Sequence, residues 1–243
     1  MANWNDPNMA ASGFGAGTSA TDQAVDAGLR SYMLSVYNYM GSGVLLTGIV
    51  AMLAFQSGFT ASLIGSPLMW LVMLAPLAFV LVLSFGINKL STPAAQAIFW
   101  VYAAVMGLSM STIFLTFTQT SIAQTFFATA AAFLGLSLYG YTTKKDLSGL
   151  GTFLIMGVVG LLVAMLLNAF VFQSGPIAMA ISVIGVLIFA GLTAYDTQKI
   201  KSMYFYVRGT DFVGKSVVMG ALTLYLDFVN MFTFLLNLLG SRE

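Results

Sequence analysis

The chain contains no cysteine and no histidine. Without cysteine there can be no disulfide, no thiolate metal site and no cysteine nucleophile. Without histidine the commonest general base, the commonest metal ligand and the usual switch near neutral pH are all missing. Any proton chemistry must therefore run through carboxylates, lysine, tyrosine or water. Charge is scarce as well. Only 7% of the 243 residues are Asp, Glu, Lys or Arg, whereas 59% are hydrophobic. A soluble domain carries about 25% charged residues. So few charges cannot solvate the surface of a globular protein of this size, and the composition implies an integral membrane protein. The net charge of +1 says nothing about nucleic acid, and no basic run is long enough to suggest a nucleic-acid surface.

The first 29 residues are polar and rich in Ala, Gly and Ser. They have no basic start followed by an apolar core, so a secretory signal is not expected. The expectation for residues 1–29 is a disordered cytosolic tail ahead of one membrane domain over residues 30–243.

Seven apolar runs are long enough to cross a bilayer, which takes about 20 residues. They are Tyr32 to Phe55, Leu68 to Ile87, Ala97 to Phe117, Ile122 to Tyr141, Thr152 to Phe172, Pro176 to Tyr195 or a turn beyond, and Val217 to Leu239. The expected fold is an all-α bundle of seven transmembrane helices. Transmembrane β-strands would be about ten residues long with alternating polarity, and these runs are longer and unbroken. Breakers stand between them: Gly65, Ser66 and Pro67 before the second run, and Gln173 to Pro176 before the sixth, where Pro176 is placed to open a helix. Pro76, inside the second run, predicts a kink that a membrane helix tolerates.

Orientation follows from the basic residues. With seven spans, Arg30, Lys89, Lys144, Lys145, Lys199, Lys201, Arg208 and Lys215 all fall on one side, and only Arg242 falls on the other. The positive-inside rule then predicts a cytosolic N-terminus and an outside C-terminus. Lys144, Lys145, Lys199 and Lys201 are expected as interfacial anchors. The methionines are expected as packing, since they have no partners for a copper site.

Of the eight acidic residues, Asp6, Asp22 and Asp26 lie in the tail, Asp146 and Asp211 in cytosolic loops, and Glu243 at the end. Only Asp196 and Asp227 remain for the membrane interior. A carboxylate at bilayer depth costs roughly 2.5–3.5 kcal/mol on insertion scales, so each is by default a functional residue. Asp227 stands about eleven residues into the seventh span, roughly 16 Å deep, and Asp196 lies near the cytosolic end of the sixth. On a helical wheel Gly220, Thr223, Asp227, Asn230 and Asn237 share an arc of about 100°. Lipid cannot satisfy such a stripe, so it should face the bundle interior or water.

Consecutive helices six and seven are expected side by side, which brings the two carboxylates together. In a low dielectric they cannot both ionise cheaply and should titrate as a unit. A shared proton would hold the helices together. Its loss would leave two like charges that repel or capture a cation, and hard cations such as Ca²⁺ prefer oxygen ligands. Thr223 and Asn230 offer further oxygens. Lys89, at the end of the second span, is placed to latch onto one aspartate.

Three segments resemble the signature of the transmembrane Bax inhibitor motif family, in wording closest to its bacterial members: GYTTKKDLSGLG (Gly140 to Gly151), GLTAYDTQKIK (Gly191 to Lys201) and ALTLYLDFVNMF (Ala221 to Phe232). The resemblance implies a seven-helix fold in the inner membrane. It also implies that Asp196 and Asp227 sense protons and bind the cation of a calcium leak. A basic residue ending the family's second helix can latch onto the pair; here that residue is Lys89, which lacks the bidentate fork of an arginine. No enzymatic activity and no resident cofactor are implied, with Ca²⁺ as permeant ion, and the partners implied are the bilayer, protons, Ca²⁺ and other membrane proteins.

Two other functions fit a pair of membrane aspartates. One is an intramembrane aspartyl protease, against which stands Leu224-Tyr225-Leu226 where a glycine-x-glycine would precede the second aspartate. The other is a non-conducting regulator that binds other membrane proteins.

Overall fold

A computed structural model describes the backbone of residues 15–242 and the side chains of residues 23–242. The described residues form eight α-helices: α1 (Gly15–Gln56), α2 (Phe59–Leu63), α3 (Leu68–Gly86), α4 (Thr92–Met110), α5 (Gln119–Thr142), α6 (Ser148–Leu167), α7 (Gly175–Val207) and α8 (Val213–Leu239). A 3-10 turn (Ser111–Leu115) extends α4, and a π turn (Asn168–Phe172) extends α6. The described residues contain no strand, only an isolated bridge between Phe117 and Arg242. All helices except the short α2 are long and apolar enough to cross a bilayer, giving seven spans. The sixth and seventh spans are α7 and α8.

Three boundaries differ from expectation for local reasons. Helix α1 begins at Gly15, inside the stretch 1–29 expected to be a disordered tail; residues 1–14 of that stretch lie outside the described residues. Helix α7 runs through Gln198 and Lys201 to Val207, well past Tyr195. The polar residues after Asp196 do not end it, because no glycine or proline interrupts the chain until Gly209, which takes a left-handed φ of 78°. The connection between the first two long spans holds α2, whose buried Thr60 donates to Ser111 at 2.8 Å. Elsewhere the expected spans hold to within a few residues, and α3 continues through Pro76.

Helix α8 is the axis of the bundle. Of its apolar window 72% is buried, against 17–44% in the other six spans. It packs against α7, α1, α5 and α4, while α6 lies outside against α7 and α3 lies outside against α4. Tyr225, fully buried on α8, stacks edge-on with Phe99 and Tyr102 of α4, and its hydroxyl meets Thr47 Oγ1 of α1 at 2.6 Å. The outer faces present large apolar side chains such as Phe85, Phe127 and Phe153. Lipid, not water, is the solvent such a surface requires.

An odd number of spans puts the chain ends on opposite faces of the membrane, with the basic loops on the N-terminal side. Reporter fusions check this. A reporter that fluoresces only in the cytosol should be bright at the N-terminus and dark after Arg242, and a reporter active only outside should show the reverse.

Candidate functional site: an aspartate pair between α7 and α8

Asp196 lies eleven residues before the end of α7 (207 − 196), and Asp227 fourteen residues after the start of α8 (227 − 213). At 1.5 Å per residue these offsets are about 16 and 21 Å. The two helices are antiparallel neighbours, so both residues reach the same level of the bundle. Asp196 is therefore well inside its helix, deeper than a sixth span ending at Tyr195 would place it. Their carboxyl groups lie within hydrogen-bonding reach of each other. Both residues are buried, and Asp227 Oδ2 has no hydrogen-bond partner among the described residues. An unpartnered carboxyl oxygen in an apolar bundle is costly.

Short-range packing sets the position of Asp196. A Cβ at Gly140 of α5 would collide with the Ala194 carbonyl, and a Cβ at Gly151 of α6 would enter the Tyr195 ring. The absence of side chains there lets α5 and α6 press against α7 on both sides of the Tyr195-Asp196 pair. The loop between α5 and α6 is tied down by Gln198, whose Oε1 accepts from Leu147 N at 2.9 Å and whose Nε2 donates to Lys145 O at 2.8 Å. Thr197 is locked by Ser137 of α5 at 2.9 Å and by its own bond to Thr193 O at 2.7 Å. Ser137 also bonds the Tyr37 hydroxyl of α1. On the α8 side Gly220 admits Ile200 and Val36 to close contact.

A cavity of about 260 Å³ reaches the pair from the side of the α7–α8 loop. Its walls include Tyr32, Ile87, Asp196, Lys199, Phe212 and Thr223. Asp227 does not line it and stands behind Asp196. One carboxylate therefore meets the cavity while the other is sealed in protein. Lys199, one turn beyond Asp196 on the same helix, lines the same cavity. Lys199 is thus more than the interfacial anchor expected of it, and its spacing of three residues from Asp196 on one helix was the available signal. Tyr32 and Ser216 also line the cavity, and sequence reasoning passed over both.

The other expected residues take different places. Thr223 lines the cavity, and its hydroxyl donates to Met219 O at 3.0 Å, leaving the oxygen able to accept. Asn230 is half-buried and its Nδ2 donates to Leu226 O at 2.8 Å, so it satisfies its own helix and does not bond to the aspartates. Asn237 is exposed and does the same with Thr233 O at 3.0 Å. Lys89 is exposed, two residues beyond Ile87 at the edge of the cavity, and is not among the residues that line it. Among the described residues no third Asp, Glu, His or Cys joins the pair. A cation held here would have two carboxylates, with water and a threonine hydroxyl completing its shell. That is a sparse set for a resident Ca²⁺, which takes 6–8 oxygens.

The glycine contacts make a direct prediction. Gly140→Ala should destabilise the bundle by about 1–3 kcal/mol through overpacking against the Ala194 backbone. Gly135→Ala, on the same helix with nothing within 4 Å of the added Cβ, should be neutral or mildly stabilising. Apparent melting temperatures in detergent check this: Gly140→Ala should melt lower than Gly135→Ala.

The chain matches the family described as inhibitor of apoptosis-promoting Bax1 over residues 29–243. The protein RP147 of Rickettsia prowazekii is 44% identical over 237 residues, covering 93% of this chain and 96% of the relative. The inner membrane protein YbhL of Escherichia coli strain K12 is 46% identical over 221 residues, covering 89% and 94%. A membrane protein of Streptococcus pyogenes is 38% identical over 222 residues, covering 90% and 96%. With seven spans and relatives of this kind, the chain is a multi-pass protein of a bacterial inner membrane, and it belongs to the Bax inhibitor-like family.

Proposed function

We propose that the protein is a pH-sensitive cation leak, with Ca²⁺ as the ion it passes, and that Asp196 and Asp227 together form its proton sensor and cation site. One observation carries this reading. The only two buried acids among the described residues touch across the α7–α8 seam, one lining a cavity and the other sealed with an oxygen left unpartnered. Protonated, the pair carries at most one negative charge, and a carboxyl-to-carboxyl hydrogen bond draws the two helices together. Deprotonated, it is a double negative charge in an apolar bundle, where Coulomb repulsion is far stronger than in water. A divalent cation cancels that charge, and so competes with the shared proton. On this reading the pair exchanges protons and cations, and no covalent bond is made or broken.

Lys199 fits this scheme as a tethered positive charge at the cavity wall beside Asp196. Lys89 stands close enough to the edge of the cavity to join it only after a change of side-chain or helix position.

The test is calcium flux into liposomes holding the purified chain, measured against pH. Because protons and Ca²⁺ compete for one pair of carboxylates, the apparent affinity for Ca²⁺ should fall as the pH is lowered. Asp196→Asn and Asp227→Asn should each flatten the pH profile, and the double variant should abolish the competition. Flux and pH profile that survive both substitutions unchanged would reject the reading.

A further inference from the structure

The cavity beside Asp196 opens toward the α7–α8 loop. At the opposite end of the same two helices lies a larger and more polar cavity of about 970 Å³. Its walls include Ser182 of α7 and Phe234, Asn237 and Arg242 from α8 and the residues after it. The two cavities share no lining residue. Between them the seam is filled by Phe189 of α7 and Phe234 of α8, whose rings stack with centroids 5.9 Å apart and planes 26° apart. Both rings are buried.

The two phenyl groups occupy matching positions. Phe189 precedes Asp196 by seven residues, and Phe234 follows Asp227 by seven. In antiparallel helices that places both about 10 Å from the aspartates, at one level, on the side away from the α7–α8 loop. Seven residues also return each side chain to within roughly 20° of its aspartate on the wheel. The ring of Phe234 therefore stands in the polar stripe of α8, between Asn230 and Asn237, where a seam built only for helix adhesion would not need it. Gly185 seats it: a Cβ there would come within 2.6 Å of the Phe234 ring.

We infer that the Phe189–Phe234 stack is the barrier separating the aspartate pair from the far cavity. This rests on the conduction reading above and adds where the route is closed. Two facing phenyl rings offer an ion no oxygen to replace its hydration shell, and such a constriction closes by excluding water. Both the barrier and the aspartate pair lie on the α7–α8 seam, so spreading of the seam when the pair loses its proton loosens the stack as well.

The natural absence of cysteine makes single cysteines a clean probe. The full chain in liposomes is treated with a membrane-impermeant thiol reagent from the side that labels Asn237→Cys. Asn230→Cys, on the aspartate side of the stack, should label more slowly than Asn237→Cys by about tenfold or more if the rings exclude water. Adding Phe234→Ala or Phe189→Ala to Asn230→Cys should raise its labelling rate by on the order of tenfold, while Phe234→Leu, which keeps most of the bulk, should leave it slow. Equal labelling of Asn230→Cys and Asn237→Cys with both rings intact would overturn the inference, and that comparison needs no phenylalanine variant to fold. So would a rate for Asn230→Cys that neither alanine variant changes. The readout needs no calcium: normal labelling behaviour with no Ca²⁺ flux would sink the conduction reading and leave the barrier standing. Aspartate-dependent flux with Asn230→Cys freely labelled would do the opposite.

Discussion

Two carboxyl groups in contact inside an apolar bundle are the constraint around which this fold is arranged. Neither can be ionised alone at low cost, and both cannot be ionised without a positive charge between them. On the proposed reading the seam between α7 and α8 has two states, set by whether a proton or a cation occupies it. Everything that fixes the two helices elsewhere serves to keep that choice local. Thr197, Gln198 and the glycines of α5 and α6 hold α7 rigid around Asp196, and the aromatic cluster at Tyr225 anchors α8 against α1 and α4.

The arrangement also explains an asymmetry. Asp196 borders a cavity and has Lys199 beside it, whereas Asp227 is enclosed by protein. On the proposed reading a proton or ion arriving from the α7–α8 loop side meets Asp196 first, and Asp227 responds through it. On the far side the Phe189–Phe234 stack stands between the pair and the cavity lined by Ser182 and Asn237.

Much of this was readable from the residues. Span count, and the placing of Asp196 and Asp227 on neighbouring helices, follow from where rare charges fall in apolar runs, because membrane insertion penalises a misplaced carboxylate heavily. The length of α7 was not readable, since Thr197, Gln198, Lys199 and Lys201 look like the end of a span. They continue the helix because tertiary bonds to Ser137, Leu147 and Lys145, and from Lys201 to the Tyr141 carbonyl, give those polar groups partners. Asn230 looked like a ligand because it shares a face with Asp227, yet its amide turns back to its own helix. Phe234 carries no signal of its own in the sequence, and its place in the polar stripe matters only once Phe189 is known to stack on it. Lys89 was expected as the latch and Lys199 as an anchor; packing puts Lys199 on the cavity wall and leaves Lys89 outside.

The claim that one shared site exchanges a proton for a cation can be tested on the carboxyl groups themselves. Infrared difference spectra of the purified chain, recorded with and without Ca²⁺ at mildly acidic pH, report whether a protonated carboxyl is present in the bundle. The account predicts a protonated-carboxyl band that disappears when Ca²⁺ is added and is absent from the variant carrying both Asp196→Asn and Asp227→Asn. A band indifferent to Ca²⁺, or one that persists in that variant, would contradict it.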